Sequence, residues 1–107
     1  MKERQRNQLF NGKTLKSRIS AIRSMRNNTY HELVPELLKL VADASQPLEL
    51  RVNTAECLGW FAHTPRRAEI IDACRQAAAD KNLEKELRDE LTQTAIRLES
   101  TVSVPTR

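Results

Sequence analysis

LLKLVADASQPLELRVNTAECLGWF, residues 37–61, reads as the end of one helix, a tight turn and the whole of the next helix. Leu37, Leu40 and Val41 recur at three- and four-residue intervals, the spacing of one helical face. The run Asp43-Ala44-Ser45-Gln46-Pro47 interrupts it with residues that favour turns, and Pro47 has the backbone angle of a helix's first turn. Leu50, Thr54, Ala55, Leu58 and Phe61 then mark the buried side of the following helix. Gly59 inside that pattern costs about 1 kcal/mol relative to Ala, which predicts close approach by a neighbour.

The same periodicity extends outward in both directions. Upstream, TLKSRISAIRSM puts Leu15, Ile19, Ile22 and Met25 on one face, and Asn27-Asn28 is a stop signal. Thr29-Tyr30-His31-Glu32 has the spacing of a capping box and predicts the start of the helix that carries Leu33, Leu37, Leu40 and Val41. Pro35 falls in its first turn, where it is tolerated. Downstream, Thr64-Pro65 predicts a cap followed by a first helical residue, and the fourth helix runs to Ala79 with Ile70, Ile71, Cys74 and Ala78 inward. Asp80-Lys81-Asn82 breaks it. The fifth helix spans about 83–99, burying Leu87, Leu91, Ala95 and Leu98. Short loops make consecutive helices antiparallel neighbours, either as a bundle or as a stack of hairpins.

An internal repeat decides between those two. A shift of 37 residues superposes Asp43, Glu49, Leu50 and Arg51 on Asp80, Glu86, Leu87 and Arg88. A shift of 33 superposes Arg18, Ile22 and Met25 on Arg51, Ala55 and Leu58. Periods of this length, with two helices in each, are signatures of a solenoid. The expected fold is therefore all-α, about five antiparallel helices stacked as two to two-and-a-half hairpins. Residues 1–12 are read as a basic arm, 13–100 as the repeat domain and 101–107 as a flexible tail.

Leu40, Asp43, Pro47, Leu50-Arg51, Ala55 and Leu58-Gly59 together resemble the HEAT-repeat pattern, an α-solenoid family. The resemblance spans residues 15–98 and is best over 33–61. The first repeat has Phe10 where the Asp would fall, and the last has Thr92 and Ala95-Ile96 in place of Ala and Leu-Gly. The resemblance implies a structural ladder along the inter-repeat loops made by Asp43, Arg51, Asp80 and Arg88. Such a ladder is chemically reasonable, since Asp accepts backbone N–H groups at a helix junction and Arg offers a planar fork to carboxylates or helix-end carbonyls.

Composition excludes several function classes. With 39% apolar and 30% charged residues, 2 glycines and 4% aromatics, the chain suits a small helical core and not a sandwich or barrel. No apolar run approaches the ~20 residues of a spanning helix. Cys57 and Cys74 sit within apolar helical patterns without metal-ligand spacing, so they read as buried thiols, consistent with a cytoplasmic chain. Gly12-Lys13-Thr14 lacks the upstream glycine of a phosphate loop, and His31 and His63 have no nucleophile at hand. No catalytic, cofactor or metal site is expected, and the chain is read as a non-enzyme.

Solenoids act by presenting an extended surface. The second helices, with His31, Glu32, Glu36 and Lys39 and then Arg66, Glu69, Asp72 and Arg75, are expected to line its concave side. Trp60, followed by His63, Arg66 and Arg67, is the candidate partner anchor, because Trp and Arg dominate interface energetics. The expected function is a scaffold that binds a protein partner or further repeats, with self-association as one form of this. The alternative is nucleic acid. Residues 1–26 carry eight Lys/Arg against Glu3 alone, +7, while 27–107 carry ten basic and thirteen acidic residues, −3. Lys13, Lys16, Arg23 and Arg26 are the candidate phosphate contacts. Only Phe10 in that segment could stack on a base, and a membrane surface is not expected because Leu15, Ile19 and Ile22 are needed for the core.

Overall fold

The computed structural model describes residues 7, 9–25 and 29–101. Every regular element among them is helical. Helix α1 is Leu15–Ser24, a 3-10 turn at His31–Leu33 leads into α2 at Val34–Ala42, α3 is Leu48–Leu58, α4 is Arg67–Ala78 and α5 is Lys85–Thr101. Leu9, Phe10 and Asn11 are also helical, just upstream of α1.

The packing order follows from the alternation of short loops. Helices α1, α3 and α5 lie side by side in one layer, and α2 and α4 lie side by side in a second. Successive hairpins, α2 with α3 and α4 with α5, join the layers, and α4 on α5 is the most extensive contact. The chain therefore stacks antiparallel hairpins in register, with extents of 42 × 36 × 17 Å. The short dimension is that of two helix layers at an interaxial spacing of about 10 Å. The core between them is aliphatic, with Ile22, Met25, Leu37, Leu50, Leu58, Phe61, Leu87 and Leu91 all essentially buried. Positions matched by the repeat are buried together: Leu50 with Leu87, Ile22 with Ala55, and Met25 with Leu58.

Four local details differ from the sequence expectation. Leu9 is fully buried in the core and Phe10 packs against it, so the folded body reaches into the segment read as an arm. Two apolar residues in the short helical segment ahead of α1 extend the core toward the N-terminus. The α2 element opens at Tyr30 through the 3-10 turn, with no side-chain cap there, and not through a capping box at Thr29. Thr64 and Pro65 form a turn and α4 starts two residues later at Arg67, because the Thr64 hydroxyl donates back to the Phe61 carbonyl at 2.8 Å. Gly59 is the C-cap of α3 and not an interior residue, since its N–H turns to Glu56 O in a tighter last turn.

Cys57 and Cys74 are both buried thiols. No helix among the described residues is long and apolar enough to cross a membrane.

Candidate functional site

One edge of the stack carries the loops 43–47 and 79–84, and there the repeat-matched arginines perform one task. Arg18 donates from Nε to Leu9 O at 2.7 Å, Arg51 to Val41 O at 2.9 Å and Arg88 to Leu83 O at 3.1 Å. Each arginine starts in the first half of an odd-numbered helix and reaches back to a carbonyl at or before the preceding turn. Arg51 is 2% exposed, and its second guanidinium nitrogen lies 3.5 Å from Glu84 Oε1 in the next loop. The arginine thus ties the last turn of α2 to the loop ahead of α5.

The aspartates act locally instead. Asp43 accepts Ser45 N–H at 3.0 Å, Ser45 Oγ at 2.6 Å and Gln46 Nε2 at 3.5 Å. Asp80 accepts Asn82 N–H at 2.9 Å. Both are turns closed by a carboxylate two residues upstream. Neither aspartate forms a hydrogen bond or ion pair with the arginine eight residues on: the aspartates accept N–H groups of their own loops, and the arginines form a row of donors to carbonyls. The carboxylates are already engaged by their own loops, and each Nε is aimed back at a carbonyl of the preceding helix or turn, which for Arg51 is an orphan carbonyl in the last turn of α2. The hydroxyl and N–H of Ser45 hold the Asp43 carboxyl below its usual range, with the Arg51 charge a smaller contribution.

The opposite edge carries Trp60. Its side chain is 46% exposed, its Nε1 donates to Glu56 Oε2 at 3.2 Å, and the Arg97 guanidinium lies 5.5 Å from the ring centroid. A cation over an indole at that distance is attractive and holds the ring in one orientation. Gly59 gives Arg97 a close approach: a Cβ there would meet Arg97 Nη1 at 3.1 Å and the Glu56 carbonyl at 3.2 Å, so the guanidinium would have to shift slightly. Glu90 of α5 completes the group. Its partial burial raises its carboxyl above the usual range, Glu56 raises it further, and Arg97 offsets part of this.

The residues expected around Trp60 are placed differently. His63 is exposed in the α3–α4 turn, Arg66 is paired with Glu69 at 2.8 Å, and Arg67 is half-buried at the start of α4. No hydrogen bond or ion pair joins any of the three to Trp60. Glu56 and Arg97 take that role, and the sequence carried a signal for both. Glu56 is four residues before Trp60, on the same helical face, and Arg97 is 37 residues after it, one repeat along. Of the candidate phosphate contacts, Lys13, Lys16 and Arg23 are exposed, and Arg26 lies outside the described residues. Lys16 shares a depression with Leu15, Ile19 and Glu49, so an acidic side chain borders it. Among the described residues no cluster of three His, Cys, Asp or Glu side chains could hold a metal.

Comparisons with protein-family models, with curated proteins and with solved structures find no match to this chain.

Proposed function

We propose that the chain is a non-catalytic, HEAT-like binding module that meets a protein partner through the edge bearing Trp60. The observation that carries this reading is a large exposed indole fixed in place by Glu56 and Arg97. Ordering an exposed Trp before binding lowers the entropy cost of using it as an anchor. The layered stack supports the reading by supplying a rigid base, and the arginine-to-carbonyl row supports kinship with HEAT-like solenoids. Among the described residues the nucleic-acid alternative has less behind it: Lys13 and Arg23 are exposed, and Lys16 has Glu49 nearby.

The test is quantitative capture by the immobilised wild type, Trp60→Ala and the exposed-site control Lys81→Ala, with folding of each checked by circular dichroism. A partner retained by wild type and Lys81→Ala and lost by Trp60→Ala is the expected result. Identical capture by all three variants overturns the reading.

A further inference from the structure

Helices α2 and α4 touch far less than α4 and α5 or α3 and α5 do. Between them, at the edge where both end, lies a cleft of about 200 Å³. Leu38 and Val41 form one wall, Ala73 and Ala77 the other, Leu91 lies beneath, and Asp80 is the one charged residue in the lining. The opening follows from α4's sequence. Ala73 and Ala77 are four residues apart on the face turned to α2, and side chains of that size leave the gap that Leu would close.

Size narrows what can enter. Small-molecule sites run from about 300 to 1,000 Å³. A cavity of roughly 150 Å³ accepts a benzene ring. A cleft between those two suits one side chain of Leu or Phe size. Charge narrows it further. The carboxylate of Asp80 accepts Asn82 N–H at 2.9 Å and is otherwise exposed to solvent. α4 ends at Ala78, so the negative end of its dipole points to the same rim. Of the basic side chains on this edge, Arg51 is turned to Val41 O and Glu84, Arg88 is turned to Leu83 O, and Lys81, next to Asp80 in the chain, is exposed to solvent.

We propose that this cleft is an anchor site for a polypeptide segment that inserts one Leu- or Phe-sized side chain and sets an adjacent Lys or Arg against Asp80. The inference rests on the reading of the chain as a binding module, and it adds a contact at the edge opposite Trp60. A partner long enough to span both edges would engage the two anchors together.

The test uses the full chain, ¹⁵N-labelled, titrated with Ac-Gly-Phe-Lys-Gly-NH₂ and with Ac-Gly-Phe-Glu-Gly-NH₂. The Lys peptide is expected to shift the amides of Ala73, Ala77 and Leu83 and to bind about fivefold more tightly than the Glu peptide, the upper end for one surface charge contact. Ala77→Leu, which fills the cleft, is expected to abolish binding. Asp80→Asn, which leaves the cleft open, brings the two peptides within about twofold of each other. Trp60→Ala leaves the titration unchanged, so loss of partner capture at Trp60 and failure of this site are separate results. Absence of shifts at millimolar peptide, equal affinity for the two peptides, or undiminished binding to a folded Ala77→Leu variant overturns the proposal.

Discussion

Arg51 gives its Nε–H to the carbonyl of Val41 across 2.9 Å while 2% of its surface is exposed. Val41 sits in the last turn of α2, where carbonyls have no partner within the helix. The arginine supplies that partner from ten residues downstream and brings its Nη1 to 3.5 Å from Glu84. Removing it strands a buried carbonyl and opens space among apolar side chains. Arg51→Ala is expected to lower unfolding free energy by about 3 kcal/mol. Arg23→Ala, at an exposed position of α1, is expected to change it by less than about 0.5 kcal/mol. Glu84→Ala should also cost under about 1 kcal/mol, because Glu84 is 51% exposed and its contact is long. Urea denaturation with equal midpoints for the Arg51 and Arg23 variants would remove the arginine's structural role.

The end of α3 depends on a side chain from another hairpin. The carbonyls of Glu56, Cys57 and Leu58 accept the N–H groups of Gly59, Trp60 and Phe61 at 3.1, 3.0 and 3.1 Å. The carbonyl of Ala55 accepts Thr94 Oγ1 at 2.7 Å, and both residues are fully buried. Thr94 therefore fastens α5 to α3 and satisfies a helix-end group at once. Thr94→Val keeps the shape and removes the donor, and is expected to cost about 1–2 kcal/mol. Thr94→Ser keeps the donor and should recover most of that loss in the same denaturation assay.

Which parts of this were legible beforehand depends on the range of the interactions. Helix positions and the burial of Leu50, Leu58, Leu87 and Leu91 follow from periodicity, which is set by neighbours three or four residues apart. The stacking order follows from the repeat, because matched residues occupy matched places in successive hairpins. The starts of α2 and α4 did not follow, since short hydrogen bonds such as Thr64 to Phe61 O compete with capping over one or two residues. Leu9 was misplaced because a basic stretch conceals one apolar residue that the stack needs. At the Trp60 edge, Arg97 was legible only through the repeat, as the residue one period beyond the indole. The α2–α4 cleft was not legible at all: Ala73 and Ala77 read as ordinary helix residues until the helix opposite them is in place.

Burial makes the two thiols unreactive in the folded chain. Cys74 is fully buried, and desolvation pushes its thiol up to about 11. Little thiolate is present at pH 8, and the sulfur is shielded from reagent as well. Ellman's reagent at that pH is expected to label native protein at least about a hundredfold more slowly than protein in urea, with two thiols released in the denatured sample. Rapid native labelling of either cysteine would mean that the hairpins open far more readily than this packing allows.

Glu90 and Asp43 should give the stability opposite dependences on pH. Partial burial and the neighbouring Glu56 raise the Glu90 carboxyl above 4.5, its value in an unfolded chain. The folded state then holds this proton more tightly than the unfolded state, so its contribution falls as pH rises through 4.5 and beyond. Glu90→Gln removes the buried charge and is expected to melt above wild type at pH 7, with the gap closing below pH 4.5. Asp43 is the reverse case. Ser45 lowers its carboxyl below 3.8, so its contribution is present above that pH and is lost as acid protonates the folded carboxylate. Asp43→Ala should melt below wild type at pH 7, and its gap should shrink on acidification. Thermal melts of the two variants from pH 3 to pH 7 check both signs together. A Glu90→Gln variant that melts below wild type at pH 7 would show that Arg97 favours the Glu90 carboxylate by more than burial and Glu56 oppose it.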